Sequence, residues 1–215
     1  MNGMHSIFPS LMAAVAMMLA VTGTMAAGDP AKGGTAARAC VPCHGADGTS
    51  RFPDVPHLAG QNQAYLVTAL RALKRSGLGK TLPKGLANRS EAAMEHQAAG
   101  LTDAGIENLA AYYSMLACPK SVASAVAPWP PVATRCESCH AEGGRSATAT
   151  VPRLAGQQQR YLENQLRAFR DAGIGIRVAA EPRERFHPIM SRQTKPLGEE
   201  DIAALARYFS SQGCN

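Results

Sequence analysis

A chain of 215 residues with a formal charge of +6 and 5% aromatic residues has room for two small domains but few large side chains to fill them, and Trp129 is its one tryptophan. The positive balance is +3 on either side of Lys120, counted from Gly28, and no cluster of adjacent Lys or Arg accompanies it. That pattern excludes a nucleic-acid partner.

Residues 1–26 contain no acid, no Lys and no Arg, and Leu11 to Val21 is an apolar run ending near Thr24-Met25-Ala26. This is the layout of a signal peptide cleaved near Ala26. The n-region offers only His5 and the terminal amine, which leaves an uncleaved anchor as the alternative. The run is short for a membrane span, and no later stretch is long and apolar enough for one. The mature chain is expected on the oxidising side of the membrane, in the periplasm.

Asp29 to Ala39 is Ala-rich and predicts a short helix, weakened by Gly33 and Gly34, that runs into Cys40-Val41-Pro42-Cys43-His44. Two thiols three positions apart with a histidine after the second is the spacing that attaches haem: each thiol adds to a vinyl group and His44 lies under the iron. Gly45, Asp47, Gly48, Pro53 and Pro56 then predict an irregular loop. Pro56 falls 12 residues after His44, where its carbonyl can accept from the far ring nitrogen of the histidine; a plain turn proline is the alternative.

Apolar residues at Tyr65, Leu66, Ala69, Leu70 and Leu73 predict an amphipathic helix over Gln61 to Arg75, stopped at Gly77. Gly79 to Ala93, with Pro83 and Gly85, predicts a loop that delivers Met94. Thr102 caps a last helix through Cys118, with Asp103 in its first turn and Ile106, Leu109, Ala110 and Tyr113 on its apolar face.

The pattern returns, without a gap, 96 residues later. Cys136-Glu137-Ser138-Cys139-His140 repeats the haem motif, Leu154-Ala155-Gly156-Gln157 repeats Leu58 to Gln61, and Pro152, Tyr161, Met190 and Cys214 match Pro56, Tyr65, Met94 and Cys118. Helices are expected over Gln157–Ala172 and Gly198–Gln212. Pro128, Pro130 and Pro131 mark a linker with no room for a full helix ahead of Cys136, so the second module is expected to borrow packing from the first. The domains are read as 28–118 and 134–215, joined by a Pro-rich linker over 119–133.

Beyond residue 26 the chain has three methionines, and two of them, Met94 and Met190, stand 54 residues past the first thiol of their motifs. They are the expected distal iron ligands, and Met115 is expected to be core packing. His57, His96 and His187 have no histidine at the matching position, with His187 as the alternative to Met190. A zinc site would need a second Cys/His pair near each motif, and the sequence offers none.

Taken together, the Cys-x-x-Cys-His motif, the Pro-x-Leu-Ala-Gly-Gln loop, the Tyr-Leu helix, the distal methionine and the closing Leu-x-x-x-x-Ile-x-x-Leu-Ala-x-Tyr helix resemble class I cytochrome c. Doubled in one exported chain, they resemble the dihaem cytochrome c4 family, over residues 30–213. The resemblance implies an all-α fold of two tandem class I cytochrome c domains related by an approximate two-fold axis. It implies two covalently bound haem c groups on Cys40, Cys43, Cys136 and Cys139, with low-spin irons held by His44 and Met94 and by His140 and Met190. It also implies electron transfer between redox proteins of a respiratory chain, from a dehydrogenase or quinol-oxidising complex toward a terminal oxidase, with peripheral association with a membrane complex.

Two other functions stay open: a dedicated electron-accepting subunit of a dehydrogenase that oxidises thiosulfate or an alcohol, and a dihaem peroxidase, which needs an open iron. Cys118 and Cys214 lie outside both haem motifs at equivalent positions. If the two-fold axis passes near them they form an intramolecular disulfide, with a covalent dimer or free thiols as alternatives.

Overall fold

The computed structural model describes residues 28–80, 88–119, 125–175 and 185–214. The expected signal peptide, and Pro83 and Gly85 of the loop before Met94, lie outside the described residues.

Helix α1 (Pro30–Ala36) forms despite its two glycines because the Asp29 carboxylate accepts from the Ala31 and Lys32 amides and Pro30 sits at the first helical position. A 3₁₀ turn over Ala37–Ala39 leads into α2 (Val41–His44), the last four residues of the haem motif. Helix α3 (Gln63–Gly77) starts two residues later than the apolar period predicts, since Gln61 and Asn62 use their side chains elsewhere, and it runs through Gly77. A two-residue strand β1 (Asn88–Arg89) precedes α4 (Ala92–Ala99) and α5 (Asp103–Met115). The Thr102 hydroxyl caps α5 by accepting from the Gly105 amide at 3.0 Å.

The second half repeats this with α6 (Thr134–His140), α7 (Gln159–Gly173), β2 (Arg185–Phe186), α8 (Pro188–Thr194) and α9 (Glu199–Ser211). Three further expectations about the helices are corrected. Met94 and Met190 stand on the first turns of α4 and α8 rather than at the ends of irregular loops. Helix α5 ends at Met115, with Leu116 extended, so Cys118 follows it on non-helical chain. Met115 is 73% exposed and is not core, because it lies in the last turn beyond the buried face that ends at Tyr113.

The first core joins Ala37, Leu66, Leu109, Ala110 and Tyr113, with Cys40 packed against it; α1 and α3 both lie on α5. The second uses the matching Ala133, Leu162, Leu205, Ala206 and Phe209, together with Ile202, and has Cys136 against it. Among the described residues no helix equivalent to α1 precedes α6, yet the second core, expected to borrow packing from the first half, is made of residues of its own half. Its own linker covers α9: Ala133 is fully buried, Val132 packs on the core, and the Ala127 amide donates to the Ser211 hydroxyl at 2.8 Å.

Across the interface, β1 and β2 pair antiparallel with Arg89 opposite Arg185. The Tyr65 amide donates to the Ala149 carbonyl and the Tyr161 amide to the Pro53 carbonyl, both at 3.1 Å. Arg89 donates to the Tyr161 hydroxyl and Arg185 to the Tyr65 hydroxyl, both at 2.8 Å. A disulfide joins Cys118 to Cys214, with their Cα atoms 6.0 Å apart. Each contact is matched 96 residues on by its counterpart, as an approximate two-fold relation requires. No helix among the described residues is long and apolar enough to cross a membrane.

The residue after each haem motif also differs between the halves. Gly45, directly after His44, has φ of +79°; its counterpart Ala141 has φ 61° and ψ 169°, a region that an L side chain enters at a cost. Ala141→Gly is expected to stabilise the second half by about 1–2 kcal/mol, read as a higher urea midpoint for a tryptophan signal from Trp129.

Candidate functional site

Each haem motif folds as a short helix because the chain tightens into it from a 3₁₀ turn, and this exposes one thiol and half-buries the other. Cys43 and Cys139 are exposed, whereas Cys40 and Cys136 lie against the cores. Burial raises the Cys40 thiol above its usual range and raises that of Cys136 to about 11.

Both histidines are 4% exposed, and each offers only one ring nitrogen to a ligand. The Nδ1 of His44 meets the Pro56 carbonyl at 2.9 Å, and the Nδ1 of His140 meets the Pro152 carbonyl at 2.9 Å. A carbonyl can only accept, so each Nδ1 carries the proton and each Nε2 keeps its lone pair for a metal. Burial lowers the pKa of both rings against an opposing effect of the carbonyl, which favours the neutral imidazole that iron binds; Arg89 adds to this at His44.

Met94 and Met190 are both half-buried. His187 is the N-cap of α8, where its Nδ1 accepts from the Met190 amide at 3.4 Å, a local role that orients the turn carrying Met190. His57 accepts through Nδ1 from the Ser50 amide at 3.0 Å, and His96 is exposed. Among the described residues no three His, Cys, Asp or Glu side chains converge as a metal cluster would require.

The residues present fit a haem joined to the chain at each motif. Each half supplies a thiol pair and a neutral imidazole with one free nitrogen. The aromatic-poor sequence also leaves Val41 beside the first thiol and Ile189 beside Met190 exposed, 37% and 50%.

Sequence reasoning missed two sets of residues around the sites. The first is the arginine and tyrosine group at the interface. Burial opposes ionisation of Tyr65, but the guanidinium groups of Arg185 and Arg89 outweigh it and hold the phenol below its usual range. Arg185 also lies 4.5 Å over the Phe169 ring and donates to Gln165. The repeat of Arg89 at Arg185 was visible in the sequence but carried no chemistry there.

The second is Glu137, inside the second haem motif. Its carboxylate accepts from the Gly143 amide at 2.9 Å, the Tyr208 hydroxyl at 2.9 Å and the Trp129 indole at 3.2 Å, tying linker, α6 and α9 together. Burial raises its pKa, but the three hydrogen bonds outweigh this and hold the carboxyl below the usual range, while the Tyr208 phenol is pushed up to about 12. Its folded pKa is depressed, so its contribution is complete above the ordinary value and is lost as pH falls through the lowered one. Glu137→Ala is expected to cost about 1–3 kcal/mol at neutral pH by urea unfolding, with the gap from the parent narrowing as pH falls below 4.5.

Residues 30–116 and 132–213 each match the family model described as cytochrome c. Cytochrome c4 of Azotobacter vinelandii is 32% identical over 208 residues, covering 90% of this chain and 94% of that one. The thiosulfate dehydrogenase electron acceptor of Stutzerimonas stutzeri strain A1501 is 29% identical over 229 residues, covering 98% of this chain and 97% of that one. The crystal structure of reduced recombinant cytochrome c4 from Pseudomonas stutzeri superposes with a TM-score of 0.66 at 29% identity, over 86% of this chain and all of that one. The two motifs, the doubled fold and these likenesses converge: the chain belongs to the cytochrome c4 family, electron-transfer proteins with two covalently bound haem c groups.

Proposed function

We propose that the chain is a periplasmic electron carrier in which His44 and Met94 ligate one haem iron and His140 and Met190 the other. Cys40, Cys43, Cys136 and Cys139 are then the thioether attachments, and the Pro56 and Pro152 carbonyls hold the proximal rings. The observation that supports this most is the hydrogen bond from a histidine Nδ1 to a proline carbonyl, made twice, with a half-buried methionine at the same register in each half.

Bound haem supplies an iron that takes up and gives back one electron. With His44 and Met94, or His140 and Met190, both holding an iron, no position would be left for a substrate, which argues against a peroxidase. The sulfur favours the reduced state and holds the potential high. The Pro56 and Pro152 carbonyls keep each imidazole in one orientation through the redox cycle, so little has to rearrange when the charge changes.

In this reading the partners are a dehydrogenase or quinol-oxidising complex as donor and a terminal oxidase as acceptor. Each half carries +3 before its haem propionates are counted, and basic residues near a haem edge would suit acidic docking faces on them. A second reading, the dedicated acceptor of a thiosulfate dehydrogenase, is supported by the Stutzerimonas stutzeri relative that spans nearly the whole chain. Co-purification with such an enzyme separates it from a carrier that diffuses freely.

Met94→Ala and Met190→Ala are each expected to remove about half of the methionine-to-iron charge-transfer absorption, because each half supplies its own ligand. If either variant keeps the full band, that ligand is misassigned. A Cβ on Gly77 would fall on the Glu95 carbonyl, one residue past Met94. Gly77→Ala is therefore expected to push α4 off α3 and weaken the same band from the first haem alone.

A further inference from the structure

The Pro56 carbonyl that holds His44 and the amide N–H of His57 are the two ends of one planar peptide group. That N–H does not point into its own half. It donates to the Gln157 Oε1 at 2.8 Å, and the Gln157 Nε2 returns a bond to the His57 carbonyl at 3.0 Å. The mirror arrangement holds the other site: the Arg153 amide donates to the Gln61 Oε1 at 2.8 Å, the Gln61 Nε2 donates to the Arg153 carbonyl at 3.0 Å, and the Pro152 carbonyl accepts from His140.

Both glutamines are buried, 7% and 8% exposed. Each amide is fixed in its orientation by a further bond, from the Asn62 amide to the Gln61 Oε1 at 2.9 Å and from the Gln158 amide to the Gln157 Oε1 at 3.0 Å. The disulfide Cys118–Cys214 closes the space between the two loops that carry them.

When a peptide N–H donates a hydrogen bond, electron density shifts toward the oxygen of the same peptide and makes that oxygen a better acceptor. The His44 imidazole, the Pro56–His57 peptide and the Gln157 amide therefore form one polarised series that starts in one half and ends in the other. We propose that Gln157 and Gln61 are positioning residues that act in trans: Gln157 sets the orientation and electron donation of His44, and Gln61 does the same for His140. The inference rests on the assignment of these two histidines as the proximal ligands. A weaker pull on the peptide N–H leaves the histidine with less imidazolate character, makes it a poorer donor to iron, and raises the potential of that haem.

The test is Gln157→Met in the full-length dihaem protein, which keeps the length of the side chain and removes both bonds; Gln61→Met is the reciprocal variant. The paramagnetically shifted Nδ1–H resonance of each proximal histidine and the reduction potential of each haem are measured together. Gln157→Met is expected to move the His44 resonance and to raise the potential of the haem on His44 by more than that of the haem on His140, and Gln61→Met to do the reverse. Gln157→Glu keeps an oxygen for the His57 N–H, and an ionised carboxylate accepts from it more strongly than the amide does, so it is expected to move the potential of the same haem the other way, downward. It also serves where the methionine variant fails to assemble.

A shift that is larger at the haem of the substituted half, or absent from both in a variant carrying two haems, overturns the proposal. Failure of the ligand assignment is distinct: the parent ferric protein would then lack one or both Nδ1–H resonances before any glutamine is changed.

Discussion

A buried histidine that must keep one nitrogen free can do so only if its other nitrogen is occupied, and two proline carbonyls meet that demand here. Much of the interface follows from the loops that present them. A loop of twelve residues, rich in glycine and proline, has little stiffness of its own between the histidine and the carbonyl that returns to it. Its backbone is held from outside, by Gln157 and Gln158 on one side and by Gln61 and Asn62 on the other. Each half is thus part of the scaffold for the other's site, which is a physical reason for two domains of this size to remain together.

The repeat is not copied evenly. The first half closes its core with α1 laid on α5, while the second uses a proline-rich linker and a single 3₁₀ turn over Pro131–Ala133 to bury Ala133 at the matching place. What the linker lacks in apolar area it partly recovers through Glu137, whose three donors come from the linker, the turn after α6 and α9. A carboxylate inside the haem motif serves there as a fastening that the first half, with Val41 at the same place, does not need.

Much of this was legible in the residues. The motif spacing, the ungapped offset of 96 and the helical period of Leu66, Leu70 and Leu73 point to the doubled helical fold without any coordinates. Pro56 could be singled out because it recurs at the same distance from a histidine. Legibility ended where side chains work across the interface, since Gln61 and Gln157 look in sequence like the ordinary polar starts of helices, and Arg89 and Arg185 lie beside loops of no clear period. Met115 misled for the opposite reason: an apolar residue in a helical register suggests burial, yet the last turn of α5 already extends past the core.

The disulfide has a topological consequence. Because it joins positions 118 and 214, the linker and the second domain lie inside one covalent ring, while the first domain hangs from that ring by a single strand at Cys118. A protease that cuts at the exposed stretch around Val126 and Trp129 opens the ring without dividing the molecule. The two halves would then remain at the high effective concentration of a tethered pair, and their interface could re-form after each opening. Only a cut combined with reduction releases one half from the other, so separation of the halves requires two chemically unrelated events.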